Sequence, residues 1–201
     1  MIIRRAAAGA YWALSRWTYR SEPLPKDGAG ILVGAPHTSN WDFALMLAIS
    51  WRAGVQVKYL GKHTLFKKPF GPLMRALGGI PVDRTNPAGL VDELVSRVTA
   101  GERFYLVITP EGTRSASPYW KSGFYRIARA TGMPVTLGYV DRSTMTTGLG
   151  PTLTLTGDVT ADMDRIRAFY DGKTGITGRT TTPRLREESG ETAADEPLPP
   201  T

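Results

Sequence analysis

The stretch that decides the fold runs through three segments: Gly30-Ile31-Leu32-Val33-Gly34, His37-Thr38-Ser39-Asn40-Trp41-Asp42 and Phe43-Ala44-Leu45-Met46-Leu47-Ala48-Ile49. The first is a short apolar run bounded by glycines, which predicts a buried strand. The third is apolar and free of Gly and Pro, which predicts a helix. Between them a histidine and an aspartate stand with four residues separating them. A strand-to-helix corner can hold a base and its orienting acid, while neighbouring backbone N–H groups point into the same space.

Outward from this corner, strands and helices alternate. Residues 55–60, 80–82, 104–108, 135–140 and 152–156 read as strands, the last two as a hairpin across a glycine-containing turn. Residues 66–77, 122–130 and 161–170 read as helices. Asn86 stands as the cap of a further helix, with Pro87 at its first position and Gly101 at its end. Its stripe of Leu90, Val91, Leu94, Val95 and Val98 marks it as scaffold. This alternation predicts a single α/β domain over residues 21–170, with a largely parallel sheet flanked by helices. Sites in such sheets lie beyond the carboxyl ends of the strands.

Residues 2–20 read as an amphipathic helix. Ile3, Ala7, Ala10, Leu14 and Trp17 fall on one face, and Arg5, Trp12, Arg16 and Arg20 near the other. Residues 1–20 therefore suit a helix lying on a membrane surface, although the same pattern serves an ordinary helix packed on the domain. Residues 171–201 are rich in Thr, Pro, Gly and charge, and are expected to be a disordered tail.

Composition narrows the chemistry. The chain has 201 residues, no cysteine and two histidines, His37 and His63. Disulfides, thiolate metal sites and a cysteine nucleophile are excluded, and a histidine-rich metal site is not expected. The net charge is +7, and the residues from Asp171 onward hold four basic and six acidic side chains, leaving residues 1–170 at +9. A basic domain suggests an anionic partner, yet no nucleic-acid module is readable. No apolar run reaches the roughly 20 residues that span a bilayer. A secretory signal is not expected at the N-terminus, which lacks a continuous apolar segment.

Three corners carry the chemistry. At the first, His37 can accept a proton from an alcohol, and Asp42, in the first helical turn, can hold its tautomer. The bland alternative is a capping aspartate beside an incidental histidine. The second is Gly79-Ile80-Pro81-Val82-Asp83-Arg84, where a short strand delivers an arginine, the side chain suited to phosphate. The third is Pro110-Glu111-Gly112-Thr113-Arg114-Ser115, which again follows a buried strand. Either of the last two, alone, reads equally as a polar surface turn. No serine or cysteine is placed as a nucleophile, so the substrate's own hydroxyl can fill that role. Lys62 and His63 follow a strand, and Lys121 precedes a helix; each can add positive charge. Phe66, Lys67, Lys68, Phe70, Leu73 and Arg75 mix apolar and basic character, as a membrane contact or a core helix would.

HTSNWD at 37–42, GIPVDR at 79–84 and PEGTRS at 110–115, in this order, resemble the first three motifs of the glycerolipid acyltransferase family. That family includes the 1-acylglycerol-3-phosphate acyltransferases. Val135 and its neighbours, after Met133-Pro134, stand where the family has a fourth, apolar motif. The resemblance implies a glycerol-3-phosphate acyltransferase-like fold. It implies that His37 deprotonates an acceptor hydroxyl, with Asp42 orienting it, for attack on an acyl thioester. It places Arg84, Glu111, Gly112, Thr113 and Arg114 at the acceptor site, with Lys62 as a further candidate.

The expected co-substrate is acyl-CoA or an acyl carrier protein thioester. No metal and no other cofactor is expected, because a thioester is already activated. Amides at the start of the helix after His37 are expected to face the oxyanion. The expected partners are a lysophospholipid acceptor and an anionic membrane surface, with no nucleic acid, at the cytoplasmic face of the cell membrane. Another phosphorylated or lysolipid acceptor, or a non-catalytic anionic-lipid-binding protein, are the competing readings.

Overall fold

The computed structural model describes residues 2–25, 28–82 and 87–190. In chain order the elements are α1 (Ile2–Leu14), β1 (Thr18–Tyr19), β2 (Gly30–Ala35), α2 (Trp41–Ala53), β3 (Val57–Lys62), α3 (Gly71–Ala76) and β4 (Gly79–Val82). There follow α4 (Pro87–Thr99), β5 (Tyr105–Ile108), α5 (Gly123–Thr131), β6 (Val135–Asp141), β7 (Thr146–Leu153) and α6 (Val159–Tyr170). Single 3₁₀ turns occupy His63–Phe66 and Arg186–Ser189.

Among the described residues the strands form one seven-stranded sheet in the order β1-β7-β6-β2-β5-β3-β4. β2 lies parallel to both β5 and β6, and β3 is parallel to β5 and β4. β7 returns antiparallel to β6, and the short β1 runs beside β7. The largely parallel α/β sheet expected from the sequence is therefore present. Val33 pairs with Ile108 of β5 and Leu137 of β6, so the chains leaving β2 and β5 emerge together at one edge.

Helices cover both faces. On one, Leu94 of α4, Phe124 and Ile127 of α5, and Met163 and Ile166 of α6 pack on Ile31, Val33, Leu106, Val135 and Leu137. On the other, Phe43 and Met46 of α2 meet Leu32, Tyr59 and Val107. A strand buried on both faces loses the apolar–polar alternation, which is why β2 and β5 read as continuous apolar runs. Each large aliphatic side chain so buried contributes about 1.5–3 kcal/mol. α1 stacks outside α2: the Trp12 indole donates to Ala48 O at 3.3 Å, and Arg4 donates to Ala76 O at 3.2 Å.

Four expectations are corrected. The N-terminal helix ends at Leu14 rather than at residue 20, because the edge of β7 claims the chain that follows. Thr18 N–H donates to Met145 O at 2.8 Å and Arg20 N–H to Thr147 O at 2.9 Å. The hairpin is present, but its second strand is β7 at Thr146–Leu153 rather than 152–156. Its glycines lie within the strand, not in the turn. The helix expected over 66–77 is divided, with the turn His63–Phe66 preceding a shorter α3.

Residues 171–190 are not a loose tail. Leu185 is only 1% exposed within the main core, Trp120 N–H donates to Arg184 O at 2.7 Å, and Arg167 meets Glu188 at 2.7 Å. One buried leucine and paired backbone groups hold a segment whose composition alone suggests disorder. Residues 191–201 lie outside the described residues, as do Asn86 and Arg84. Among the described residues no helix is long and apolar enough to cross a membrane.

Candidate active site

The carboxyl edge of β2 and β5 holds the first and third corners. His37 Nδ1 lies 3.0 Å from Asp42 Oδ2. The same oxygen accepts the Thr38 N–H at 2.7 Å and the Ser39 N–H at 2.8 Å. An ionised carboxylate only accepts, so the proton of a neutral His37 sits on Nδ1 and the lone pair on Nε2. The ring is 24% exposed and the Asp42 side chain 10%, so the imidazole reaches solvent from a more deeply buried support. Asp42 Oδ1 is buried with no hydrogen-bond partner among the described residues, so Oδ2 alone holds the ring and the two amides.

Glu111 is buried, and its Oε2 accepts the backbone N–H of His37 at 2.7 Å. Burial pushes its carboxyl above the ordinary range, while hydrogen bonds from Thr181 and from His37 N–H pull it back. The resemblance places Glu111 at the acceptor site; its described contacts instead lie inside the protein, beneath His37.

Arg114 is exposed, and its guanidinium donates to Asn40 Oδ1, which ties the third corner to the first. Gly112 makes the turn between Glu111 and Arg114. Its φ is +66°, in the left-handed region that favours glycine, while an added Cβ would meet only the flexible end of the Lys121 side chain. Thr113 is exposed, and its hydroxyl accepts the Ser115 N–H at 3.1 Å. Lys62 ends β3 at the same edge with its side chain exposed. Arg84 lies outside the described residues; β4, which precedes it, ends at Val82.

The helix-start amides differ from expectation. Thr38 and Ser39 N–H serve Asp42, Trp41 N–H donates to Ser39 Oγ, Asp42 N–H to Ser39 O and Phe43 N–H to Asn40 O. A carboxylate placed in the first turn gathers the very donors that a free helix terminus would offer. Asn40, Thr38 and the segment around Thr181 were not singled out by the sequence. Asn40 and Arg114 are 74 residues apart in the chain, so no local pattern joins them.

A family model described as Acyltransferase matches residues 16–137, more than half of the chain. The 1-acyl-sn-glycerol-3-phosphate acyltransferase epsilon of Mus musculus is 38% identical over 104 residues, covering 49% of this chain and 28% of that protein. This chain thus spans little more than a quarter of that relative. The crystal structure of the 1-acyl-sn-glycerophosphate (LPA) acyltransferase PlsC from Thermotoga maritima superposes with a TM-score of 0.56 at 20% identity. The match covers 83% of this chain and 73% of that one, and shows a common fold. With all three motifs in order and this fold around them, the chain belongs to the acyltransferase family.

Proposed function

We propose that this protein is an O-acyltransferase that moves a fatty acyl group from a thioester to the free hydroxyl of 1-acylglycerol 3-phosphate in phospholipid synthesis. The observation that carries this reading is the His37–Asp42 pair, whose ring reaches solvent at the edge where the exposed Arg114 meets Asn40. His37 Nε2 takes the hydroxyl proton as the alcohol oxygen bonds to the thioester carbonyl carbon. Asp42 stabilises the imidazolium. The tetrahedral intermediate then breaks its C–S bond, and His37 returns the proton to the departing sulfur. Among the described contacts, the Asn40 N–H is the one amide of the turn left for the oxyanion. Arg114, Lys62 and Arg84 are the cations for the acceptor phosphate. Acyl-CoA or an acyl carrier protein supplies the thioester.

The reading extends to an anionic membrane surface at the cytoplasmic face of the cell membrane. Support comes from the stripe on α1: Ala7, Ala10 and Leu14 point away from α2, and Leu14 is 88% exposed. Trp41, Leu65, Phe70 and Leu73 are also exposed, with Lys67 and Lys68 beside Phe70.

Purified protein given acyl-CoA is expected to release thiol with 1-acylglycerol 3-phosphate. Glycerol 3-phosphate and uncharged lysolipids serve as comparison acceptors. No release with any acceptor removes the enzyme reading, and preference for another acceptor replaces the substrate. Flotation with vesicles containing anionic phospholipid should carry the wild type upward and leave Leu14→Glu below. Equal flotation of the two removes α1 from the membrane assignment.

A further inference from the structure

The chain beyond α6 runs back across the active-site edge. Arg142 N–H donates to Thr174 O at 2.8 Å, and its guanidinium to Ile176 O at 2.7 Å. Gly175 then packs on Thr38, the residue after His37, so closely that a Cβ would stand 2.5 Å from Thr38 Oγ1. Thr177 N–H donates to that same hydroxyl at 3.3 Å. The segment also closes on itself: Gly178 N–H donates to Gly175 O at 2.8 Å, and Gly175 N–H to Arg179 O at 2.7 Å. A tight turn fastened to the first corner therefore ends at Arg179.

The Arg179 side chain is exposed, and its guanidinium donates to the backbone carbonyl of Arg114. The Arg114 guanidinium in turn donates to Asn40 Oδ1, in the turn that carries His37 and Asp42. Two arginines 65 residues apart in the chain thus meet at the third corner. Each makes its bond to a neutral carbonyl, and among the described residues neither is paired with a carboxylate. Like charges gathered without a counter-ion repel one another, and a bound anion relieves that repulsion. A guanidinium carries five N–H donors, so both arginines keep donors for a phosphate after these bonds.

We propose that Arg179 is a specificity-determining residue of the acceptor site: together with Arg114 it grips the phosphate monoester of the acceptor, and so favours a phosphorylated lysolipid over an uncharged one. This rests on the acyl-transfer reading above. Position selects the acceptor's phosphate over the donor's. Arg179 is tied to Arg114 and, through Gly175 and Thr177, to Thr38 beside the base. The acceptor must bring its hydroxyl to His37, and in 1-acylglycerol 3-phosphate the carbon bearing the phosphate adjoins the carbon bearing that hydroxyl. The phosphates of acyl-CoA are held away from the reacting thioester by the whole pantetheine arm. The closed turn fixes the Arg179 backbone before the acceptor arrives, which lowers the ordering cost of binding. Arg179 lies beyond the stretch that matches the family, 16–137, so none of the three motifs signals it.

The experiment compares Arg179→Ala, Arg179→Gln and Arg179→Lys with the wild type in thiol release from acyl-CoA, at varied acceptor. Arg179→Ala should raise KM for 1-acylglycerol 3-phosphate by about 10-fold, with kcat and the KM for acyl-CoA close to wild type, because an exposed charge-assisted bond is lost from ground and transition states alike. The kcat/KM preference for that acceptor over 1-acylglycerol, which lacks the phosphate, should fall by the same factor. Arg179→Gln keeps an N–H for the Arg114 carbonyl but not the charge, and should be as impaired as Arg179→Ala. Arg179→Lys should recover part of the loss. An unchanged acceptor KM in Arg179→Ala, or a rise in the KM for acyl-CoA in its place, overturns the proposal. Full rescue by Arg179→Gln also overturns it, since Arg179 would then only tie the turn to Arg114.

A wild type that releases no thiol with any acceptor defeats the acyl-transfer reading instead. The site is then decided by calorimetric titration with 1-hexanoylglycerol 3-phosphate, whose short chain keeps it in solution. Arg179→Ala and Arg179→Gln should bind it about 10-fold more weakly than the wild type. Equal affinity, or no binding by the wild type, overturns the proposal.

Discussion

Two corners of this molecule are built alike and do different things. At the β2–α2 corner, Asp42 turns one oxygen back onto the amides of Thr38 and Ser39 and onto the His37 ring. At the β7–α6 corner, Asp162 turns back onto the amides of Thr156 and Gly157, the Thr156 hydroxyl and the Tyr125 phenol. Each is a strand-to-helix turn closed by a carboxylate from the following helix. Asp162 is 0% exposed, and each of its oxygens has partners. Asp42 leaves one oxygen unpaired and supports a ring that reaches solvent. A carboxylate on backbone amides is thus a general way to close such a turn. It becomes chemical when its side-chain partner is an imidazole, able to take up a proton, at an open edge.

The largest effect that tests this contrast belongs to His37. His37→Ala should lower kcat/KM by about 10²–10⁴-fold, the usual share of a general base, with a thermal midpoint close to wild type. Activity that survives the change breaks the contrast at once. Asp42→Asn should follow with a smaller loss of kcat, because the amide supports the wrong tautomer, and should remain folded.

Asp162→Asn should show the opposite pattern. We expect a loss of about 3 kcal/mol in stability with kcat per folded molecule unchanged, measured by urea denaturation and active-protein titration. Its pH dependence sharpens the point. Burial raises the Asp162 carboxyl, but bonds from Gly157 N–H, Tyr125 and Thr156 outweigh it and leave it lowered in the fold. A carboxylate lowered on folding stabilises above its unfolded value, near 4, and the stability is lost as pH falls through the folded value. Wild type should lose stability over that acid range, and Asp162→Asn should lose less. Equal acid slopes would remove the distinction between the two corners.

How much of this was legible beforehand depends on chain distance. His37 and Asp42 are joined by one turn of backbone, and their spacing shows the pair directly. The stripe on α1 was also visible, but its direction was not. Ala8 faces α2 and is buried, because a small side chain lets two helices approach, while Leu14 points outward. The burial of Glu111 is hidden in the sequence for a similar reason. Its motif is local, but the amide it accepts from belongs to His37, 74 residues before it.

The sequence by itself determined the α/β alternation, the order of the three corners and the pairing of His37 with Asp42. These follow from local periodicity and from spacings within one turn. Only the tertiary structure decided that Arg114 meets Asn40, that Glu111 lies under His37, and that residues 171–190 return to the active edge. Those contacts depend on sheet order, which brings β2 beside β5 although much of the chain lies between them. Long-range neighbours are chosen by packing, and packing leaves no periodic mark on the chain that could be read in advance.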